Sequence, residues 1–432
     1  GCEHIDSRLR QLDLADGAAA TAFEMAMATI DKASAIVLIG CNPRSELPLL
    51  NTRIRKAIKN GAKVHVINPI DFDLTYPADS KNIVAPNGFV EAMLAYAKAA
   101  VDAGHSAGHE GLASAIGSVQ ASDDANALVK ALIDENSSVV IVGEMVTNHP
   151  HASWLRAAAR HLAMATGSSY NEIPLAANAI GLASVGVLPS AGGLDSNRQL
   201  AEGRQAFLLY GIESPSDFAA GTRSWSAVER AKTVVAFSAF ASESLKQVAD
   251  VILPIGLTPE IDASLTNLDG FTQRAVAGVK PPGDARQGWR VLRALGGAMD
   301  SEGFDFVELA ELRSSMTQSQ AAVASNQLAE RAKKGEGLVR ISSTSSYRSD
   351  AVLRRARALN DHPITRGACV TLHPEDGAAL GLTNGATAHV EGQKLAVVLS
   401  SEVPRGGVWI ESGYEQTDAL PVCGEIIAMT GA

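Results

Sequence analysis

The chain has 432 residues, of which 46% are hydrophobic and 19% charged, so it can bury two or three substantial cores. Its formal net charge of −10 excludes the broad basic face that nucleic-acid binding requires. The same balance leaves no general electrostatic hold on anionic membranes.

Residues 1–30 read as a connecting segment. The start, Gly1-Cys2-Glu3-His4, carries an acid where a secretory signal needs basic and then apolar residues. The missing initiator Met suggests a processed or excised piece of a longer chain.

Ala35 to Pro69 reads as strand, polar loop, helix and second strand, about one half of a nucleotide-binding αβ unit. Ala35 to Ile39 is short, apolar and rich in Val and Ile, as a strand buried on both faces must be. Leu47, Leu50, Ile54 and Ile58 recur at helical spacing, while Arg53, Arg55, Lys56 and Lys59 fall mainly elsewhere. Ser45 is the expected N-cap of that helix and Gly61 its stop.

Gly104 to Asp124, rich in Gly, Ala, Ser and His, is expected to be a mobile surface segment. A second αβ round follows, with a strand at Ser137 to Gly143 and a helix from about His151 to Ala165. Ile173 to Leu194 is the longest uncharged stretch. Pro174, Asn178, Pro189 and four glycines make it a buried, irregular crossover and not a membrane span. Ala206 to Tyr210, Thr233 to Phe237 and Val251 to Pro254 supply a third set of strands. Short apolar runs alternating with amphipathic helices predict α/β architecture with doubly wound parallel sheets over 31–312, in sub-domains of about 31–170 and 171–312. Residues 313–362 turn polar and read as a helical linker. After Pro363 come short strands and Gly-containing turns, with Pro374 and Glu375 opening a short helix, Gly381 closing it, and Asn384-Gly385 turning into Ala386 to Val390.

Few local motifs carry chemistry. Cys2, Cys41, Cys369 and Cys423 form no CxxC pair, so neither a zinc nor an iron-sulfur motif can be drawn, and no metal site is expected. His105 and His109 are four apart, but Gly104 and Gly108 oppose a helix that would align them. His149 and His151 sit at a loop-to-helix junction, where capping and packing are the expected roles. Arg348, Arg354, Arg355 and Arg357 read as a solvated or interface face. No GxSxG elbow and no phosphate-binding GxxxxGK[ST] loop occurs, so no catalytic residue is expected.

Cys369 to Asp376, Ala379 to Gly385 and Val403 to Trp409 together resemble the C-terminal double-psi β-barrel of molybdopterin oxidoreductases. Thr266-Asn267, Asp269-Gly270, Gln273, Pro281 to Ala285 and Trp289 resemble the segment that family places before its closing helices. The resemblance implies a double-psi barrel over 363–432. Within the family, Tyr347 to Ala356 and the run from Asn42-Pro43-Arg44 through Arg53 to Lys56 resemble the G subunits of bacterial NADH-quinone oxidoreductases, the respiratory complex I.

That resemblance implies a parent chain that passes electrons from NADH via FMN and iron-sulfur clusters toward quinone. Its 2Fe-2S and 4Fe-4S clusters would sit in an N-terminal part not contained in this sequence. The present stretch is expected to be a scaffold without a cofactor of its own, inactive alone. It would pack on other subunits of the complex I peripheral arm at the cytoplasmic side of the inner membrane, with no membrane insertion of its own. In catalytically active relatives the Gly40 and Asn68-Pro69 loops would approach pterin nucleotides, so Gly40, Asn42, Arg44, Asn68 and Asp71 are the vestigial loop candidates, with Asp71 or Asp73 facing a ribose. Cys41 as a molybdenum ligand is disfavoured, since that ligand in active relatives belongs to another region. The alternative expectation is a molybdenum or tungsten oxidoreductase piece that still binds its pterin.

Overall fold

In the computed structural model the described residues are all but 1, 191, 317–324, 326, 332–334, 336 and 432. The chain divides into two compact units. One comprises Arg10–Leu175, Ala219–Gly221 and Ala322–Ala432, the other Gly1–Leu9, Ala176–Phe218 and Thr222–Ala321.

The first of these units opens with a five-stranded, wholly parallel sheet. Its strands are β1 (Ala35–Ile39), β2 (Lys63–Asn68), β3 (Ser80–Ile83), β4 (Ser138–Val142) and β5 (Ser169–Glu172), in the order β3-β2-β1-β4-β5. Every residue of β1 and β4 is buried, which is why both read as unbroken apolar runs. Seven helices accompany the sheet: α1 (Pro43–Glu46), α2 (Pro48–Lys59), α3 (Phe89–Asp102), α4 (Glu110–Ile116), α5 (Asp123–Ile133), α6 (Glu144–Thr147) and α7 (Ala152–Thr166). Val37 and Ile39 join Phe89, Met93, Leu128, Leu155 and Leu162 in one core. Alternation along the strand sends Ile36 and Leu38, both fully buried, to the opposite face.

Local signals account for most boundaries. Pro48 occupies the first turn of α2, and Gly61, at φ +98, lets the chain leave the helix for β2. Ser45 does not cap α2. It lies inside the short α1, because Pro43 starts a separate turn and Leu47 is extended between the two helices. Ile58 is only half-buried; Ala57 takes the inward place with Leu50 and Ile54. Gly104 to Asp124 is also more ordered than expected. It contains α4, capped by His109 Nδ1 accepting from Leu112 N at 3.2 Å and anchored by buried Leu112 and Ile116.

In the other unit, β6 (Ala206–Tyr210), β7 (Thr233–Ser238) and β8 (Val251–Pro254) form a parallel sheet in sequence order. Phe207, Leu209, Val234 and Ala236 pack there on Trp225, Val228 and Leu245. The hairpin β9 (Ala263–Thr266) and β10 (Thr272–Ala275) turns through Asn267, whose Oδ1 accepts from Asp269 N and Phe271 N. Ile173 to Leu194 is irregular as expected but much of it is half-exposed, with one short helix at Ala179–Ser184.

The seven-stranded sheet of the first unit contains β11 (Val339–Ile341), β12 (Cys369–Leu372), β13 (Thr387–Val390), β14 (Gln393–Leu399), β15 (Gly407–Trp409), β16 (Cys423–Glu425) and β17 (Met429–Gly431). Its order is β16-β11-β15-β12-β14-β13-β17, with parallel pairs β11·β15 and β12·β14 among antiparallel ones. The strand β11 falls inside the stretch expected to be a helical linker, of which 317–324, 326, 332–334 and 336 lie outside the described residues. Its Arg340 is fully buried and donates only to main-chain carbonyls, those of Ile410, Glu411, Leu420 and Pro421. Glu391 and Gly392, at φ 48 and 81, form the two-residue turn between β13 and β14. Among the described residues no helix is long and apolar enough to cross a membrane.

Candidate functional site

In an open parallel sheet, ligands bind beyond the carboxyl ends of the strands where the strand order reverses. Here that point lies between β1 and β4: the chain moves from β1 toward β2 and β3 on one side and from β4 to β5 on the other. The loops concerned are Gly40-Cys41-Asn42 and Gly143-Glu144.

These two loops are closed on each other. Gly143 N donates to Ile39 O at 3.0 Å, and Met145 N donates to Gly40 O at 3.1 Å. A Cβ at Gly143 would lie 2.5 Å from Cys41 Cα and 2.6 Å from Gly40 O. Gly40 itself has φ +54, and a Cβ there would meet Val146 Cγ2 at 2.8 Å. Both glycines therefore serve close backbone approach.

The free N–H groups of the crevice are filled from within the chain. Glu46 spans them: its Oε1 accepts from Asn42 N at 2.5 Å and its Oε2 from Glu144 N at 2.7 Å. The residue keeps some exposure along its chain, but its carboxylate is surrounded by protein. Glu144, almost fully buried, points its own carboxylate at Thr344, whose N–H donates to both oxygens at 3.1 Å. Ser346 Oγ donates to Ser45 O at 3.1 Å, and Asp71 N to Glu402 O at 2.8 Å. Segments before β12 and after β14 thus seal the loop edge of the five-stranded sheet.

Burial raises both carboxyls, and their mutual repulsion raises Glu144 further. Two N–H donors hold Glu46 back to about 7, whereas Glu144 is raised further, so Glu144 is the member of the pair that keeps its proton through neutral pH. Desolvation likewise pushes Glu411 up to about 7 against the opposing pull of Arg366 and Tyr414. Burial also pushes the Cys41 thiol well up, with Glu46 and Glu144 adding to the effect, so Cys41 is an inert, protonated thiol.

Of the residues expected from sequence, Gly40 and Asn42 are at the crevice. The Asn42 side-chain oxygen is buried without a hydrogen-bond partner, as is the Tyr76 hydroxyl. Asn68 is not available to a ligand, since it is fully buried and both ends of its amide hold the Cys41 peptide, at 2.9 and 3.0 Å. Arg44 and Asp71 point to the surface, where Arg44 pairs with Asp73 at 3.0 Å and Asp71 with Lys81 at 2.6 Å. The histidines follow the packing expectation: His149 is buried and its Nδ1 accepts from His151 N at 3.0 Å. Arg348 does not join the other arginines, because its guanidinium donates to Gly413 O and Asn360 Oδ1.

Sequence reasoning missed Glu46, Glu144, Thr344 and Glu411. A signal existed for Glu144, an acid directly after the glycine that ends a buried strand, whereas Glu46 stands six positions beyond Gly40. Thr344 and Glu411 carry no local signal.

The donor set does not fit a pterin nucleotide. A diphosphate seeks free N–H groups and cations. Here the Asn42 and Glu144 N–H groups are taken by the Glu46 carboxylate, and Arg44 of the same loop is turned outward to Asp73. Nor do the thiols fit a cluster: among the described residues no three His, Cys, Asp or Glu side chains are grouped to hold a metal.

The family model described as "Molybdopterin oxidoreductase" matches residues 3–298. The chain is 23% identical over 319 residues to the NADH-ubiquinone oxidoreductase 78 kDa subunit of Neurospora crassa mitochondria, a match covering 71% of this chain and 36% of that protein. It is 24% identical over 319 residues to the NADPH-Fe(3+) oxidoreductase subunit alpha of Geobacter sulfurreducens, covering 62% of this chain and 37% of that one. The chain thus spans little more than a third of these relatives. Among solved structures, acetylene hydratase from Pelobacter acetylenicus superposes with a TM-score of 0.64 at 13% identity, over 98% of this chain and 81% of that one, a likeness of fold. With the family model covering well over half of its length, the chain belongs to the molybdopterin oxidoreductase family.

Proposed function

We propose that the chain is a non-catalytic scaffold within a larger electron-transfer subunit. The observation that carries this reading is the Glu46 carboxylate, which holds the N–H groups of Asn42 and Glu144 at the crevice where an active relative would meet its nucleotide. Similarity to the NADH-ubiquinone oxidoreductase 78 kDa subunit supports a parent of the complex I kind, the G subunit of a bacterial NADH-quinone oxidoreductase. In that parent, electrons from NADH pass via FMN and iron-sulfur clusters toward quinone, and the 2Fe-2S and 4Fe-4S clusters lie outside this stretch. The partners are then other subunits of the peripheral arm, at the cytoplasmic side of the inner membrane. The seven-stranded sheet, with two parallel pairs inside an otherwise antiparallel order, is read as the family's double-psi barrel.

The test is spectroscopic. Optical and EPR spectra of the purified chain should be featureless, and metal analysis should find less than stoichiometric molybdenum, tungsten or iron. A cluster signal or a bound pterin contradicts the proposal.

A second reading, a molybdenum or tungsten oxidoreductase piece that retains its pterin, draws on the orphaned Asn42 Oδ1 and Tyr76 hydroxyl, which a bound group could satisfy. Two unpaired polar atoms weigh less than a crevice whose donors are already engaged.

A further inference from the structure

We infer that Glu46 is a resident anion: its carboxylate replaces, within the chain itself, the small oxyanion that the crevice between β1 and β4 is shaped to hold. The misfit between the family's nucleotide cofactor and this crevice then has one side chain as its main cause.

Three observations converge on Glu46. Its two oxygens take one backbone N–H each, from Asn42 and from Glu144, so the carboxylate bridges the two loops in the bidentate manner of a bound oxyanion. Those donors have no other role in the fold, since neither N–H enters the sheet ladder or a helix bond. The two loops approach closely enough to share one carboxylate only because Gly143 lacks a side chain, since a Cβ there would lie 2.5 Å from Cys41 Cα. Among the described residues no ion pair reaches the Glu46 carboxylate, and the fixed N–H dipoles face it instead. Removing the side chain beyond Cβ would leave two backbone N–H groups in a low-dielectric site without acceptors, a vacancy suited to formate, acetate or inorganic phosphate.

This inference rests on the scaffold reading but is tested separately from it. In Glu46→Ala the unfolding midpoint of the purified chain should fall by roughly 5 °C, as expected for two unsatisfied buried donors. Sodium formate at about 100 mM should restore a measurable part of that loss by mass action, with a smaller effect from acetate. Sodium chloride at equal ionic strength should not, and wild type should respond to none of them. Amide hydrogen exchange supplies a measurement that does not depend on the variant folding: in wild type the Asn42 and Glu144 amides should exchange slowly. Equal responses of variant and wild type to formate, or fast exchange at both amides, would overturn the inference. Finding pterin in wild type would instead remove the scaffold reading, and formate rescue would still report what Glu46 does.

Discussion

The Asn68 side chain holds the Cys41 peptide by both ends, accepting from its N–H at 2.9 Å and donating to its carbonyl at 3.0 Å. This paired bond ties the loop after β1 to the end of β2 and fixes the first turn of the crevice. Asn68→Ala removes both bonds and leaves a buried donor and acceptor, so it should destabilise the chain by about 2–4 kcal/mol. Asn68→Asp keeps the acceptor but buries a charge opposite the Cys41 carbonyl and should be no better. Urea denaturation checks both; a loss below about 0.5 kcal/mol for Ala would mean the pair is not formed.

The Glu46 and Glu144 pair makes stability depend on pH with a definite sign. Glu144 titrates well above its ordinary 4.5 when folded, because of burial first and Glu46 second. Above that ordinary value the folded chain keeps a proton that the unfolded chain has lost, so stability falls as pH rises. Glu144→Gln removes the requirement while still offering Thr344 N–H an acceptor. The variant should therefore gain on wild type between pH 5 and pH 8, by at most about 1.4 kcal/mol per pH unit. A difference in unfolding midpoint that is constant across this range would contradict the assignment of the proton.

Arg340 gives a prediction about the seven-stranded sheet. Among the described residues its guanidinium pairs with no carboxylate, and it is held by carbonyls from two stretches of backbone, at 2.8 Å from Leu420 O, 2.9 Å from Pro421 O and 3.1 Å from Ile410 O. Desolvation lowers it to about 10, still charged at neutral pH. Arg340→Met strands those carbonyls and should cost about 3 kcal/mol or more. Arg340→Lys keeps the charge but not the fork, and should recover only part of the loss. Full recovery by Lys, measured in the same denaturation series, would show that charge alone matters.

Two glycines should respond to alanine in opposite directions. At Gly143 the new Cβ would press on Cys41 Cα, 2.5 Å away, and backbone cannot yield, so the loss should reach about 3 kcal/mol. Gly297 lies in the helix Gly288–Ala298 with nothing within 4 Å of the added Cβ, and alanine there should gain about 0.5–1 kcal/mol through helix propensity. Thermal unfolding of the two variants should show shifts of opposite sign.

The frame was legible where one residue type dictates one structure. The unbroken apolar run Ala35–Ile39 could only be a strand buried on both faces, and Gly61 could leave a helix at positive φ where other residues could not. The αβ rounds around β1 and β4 followed from such local signals. The capping of α2 was misread because Pro43 and Pro48 each start a turn, and proline position outweighs the Ser45 hydroxyl. The strand Val339–Ile341 was hidden because three residues carry too little periodicity, and its partners stand more than sixty positions away. The crevice was located by its loops, yet its chemistry was not, since Glu46 meets Glu144 and Glu144 meets Thr344 only through tertiary contacts.

On the proposed reading the crevice is filled by the chain's own Glu46 carboxylate in place of a pterin nucleotide. The most direct measurement is the pterin and molybdenum or tungsten content of the parent protein, purified from cells grown with added molybdate and tungstate. The account predicts values far below one equivalent per chain, with the pterin extract blank by fluorescence. A pterin dinucleotide recovered at near one equivalent, with metal to match, would contradict it.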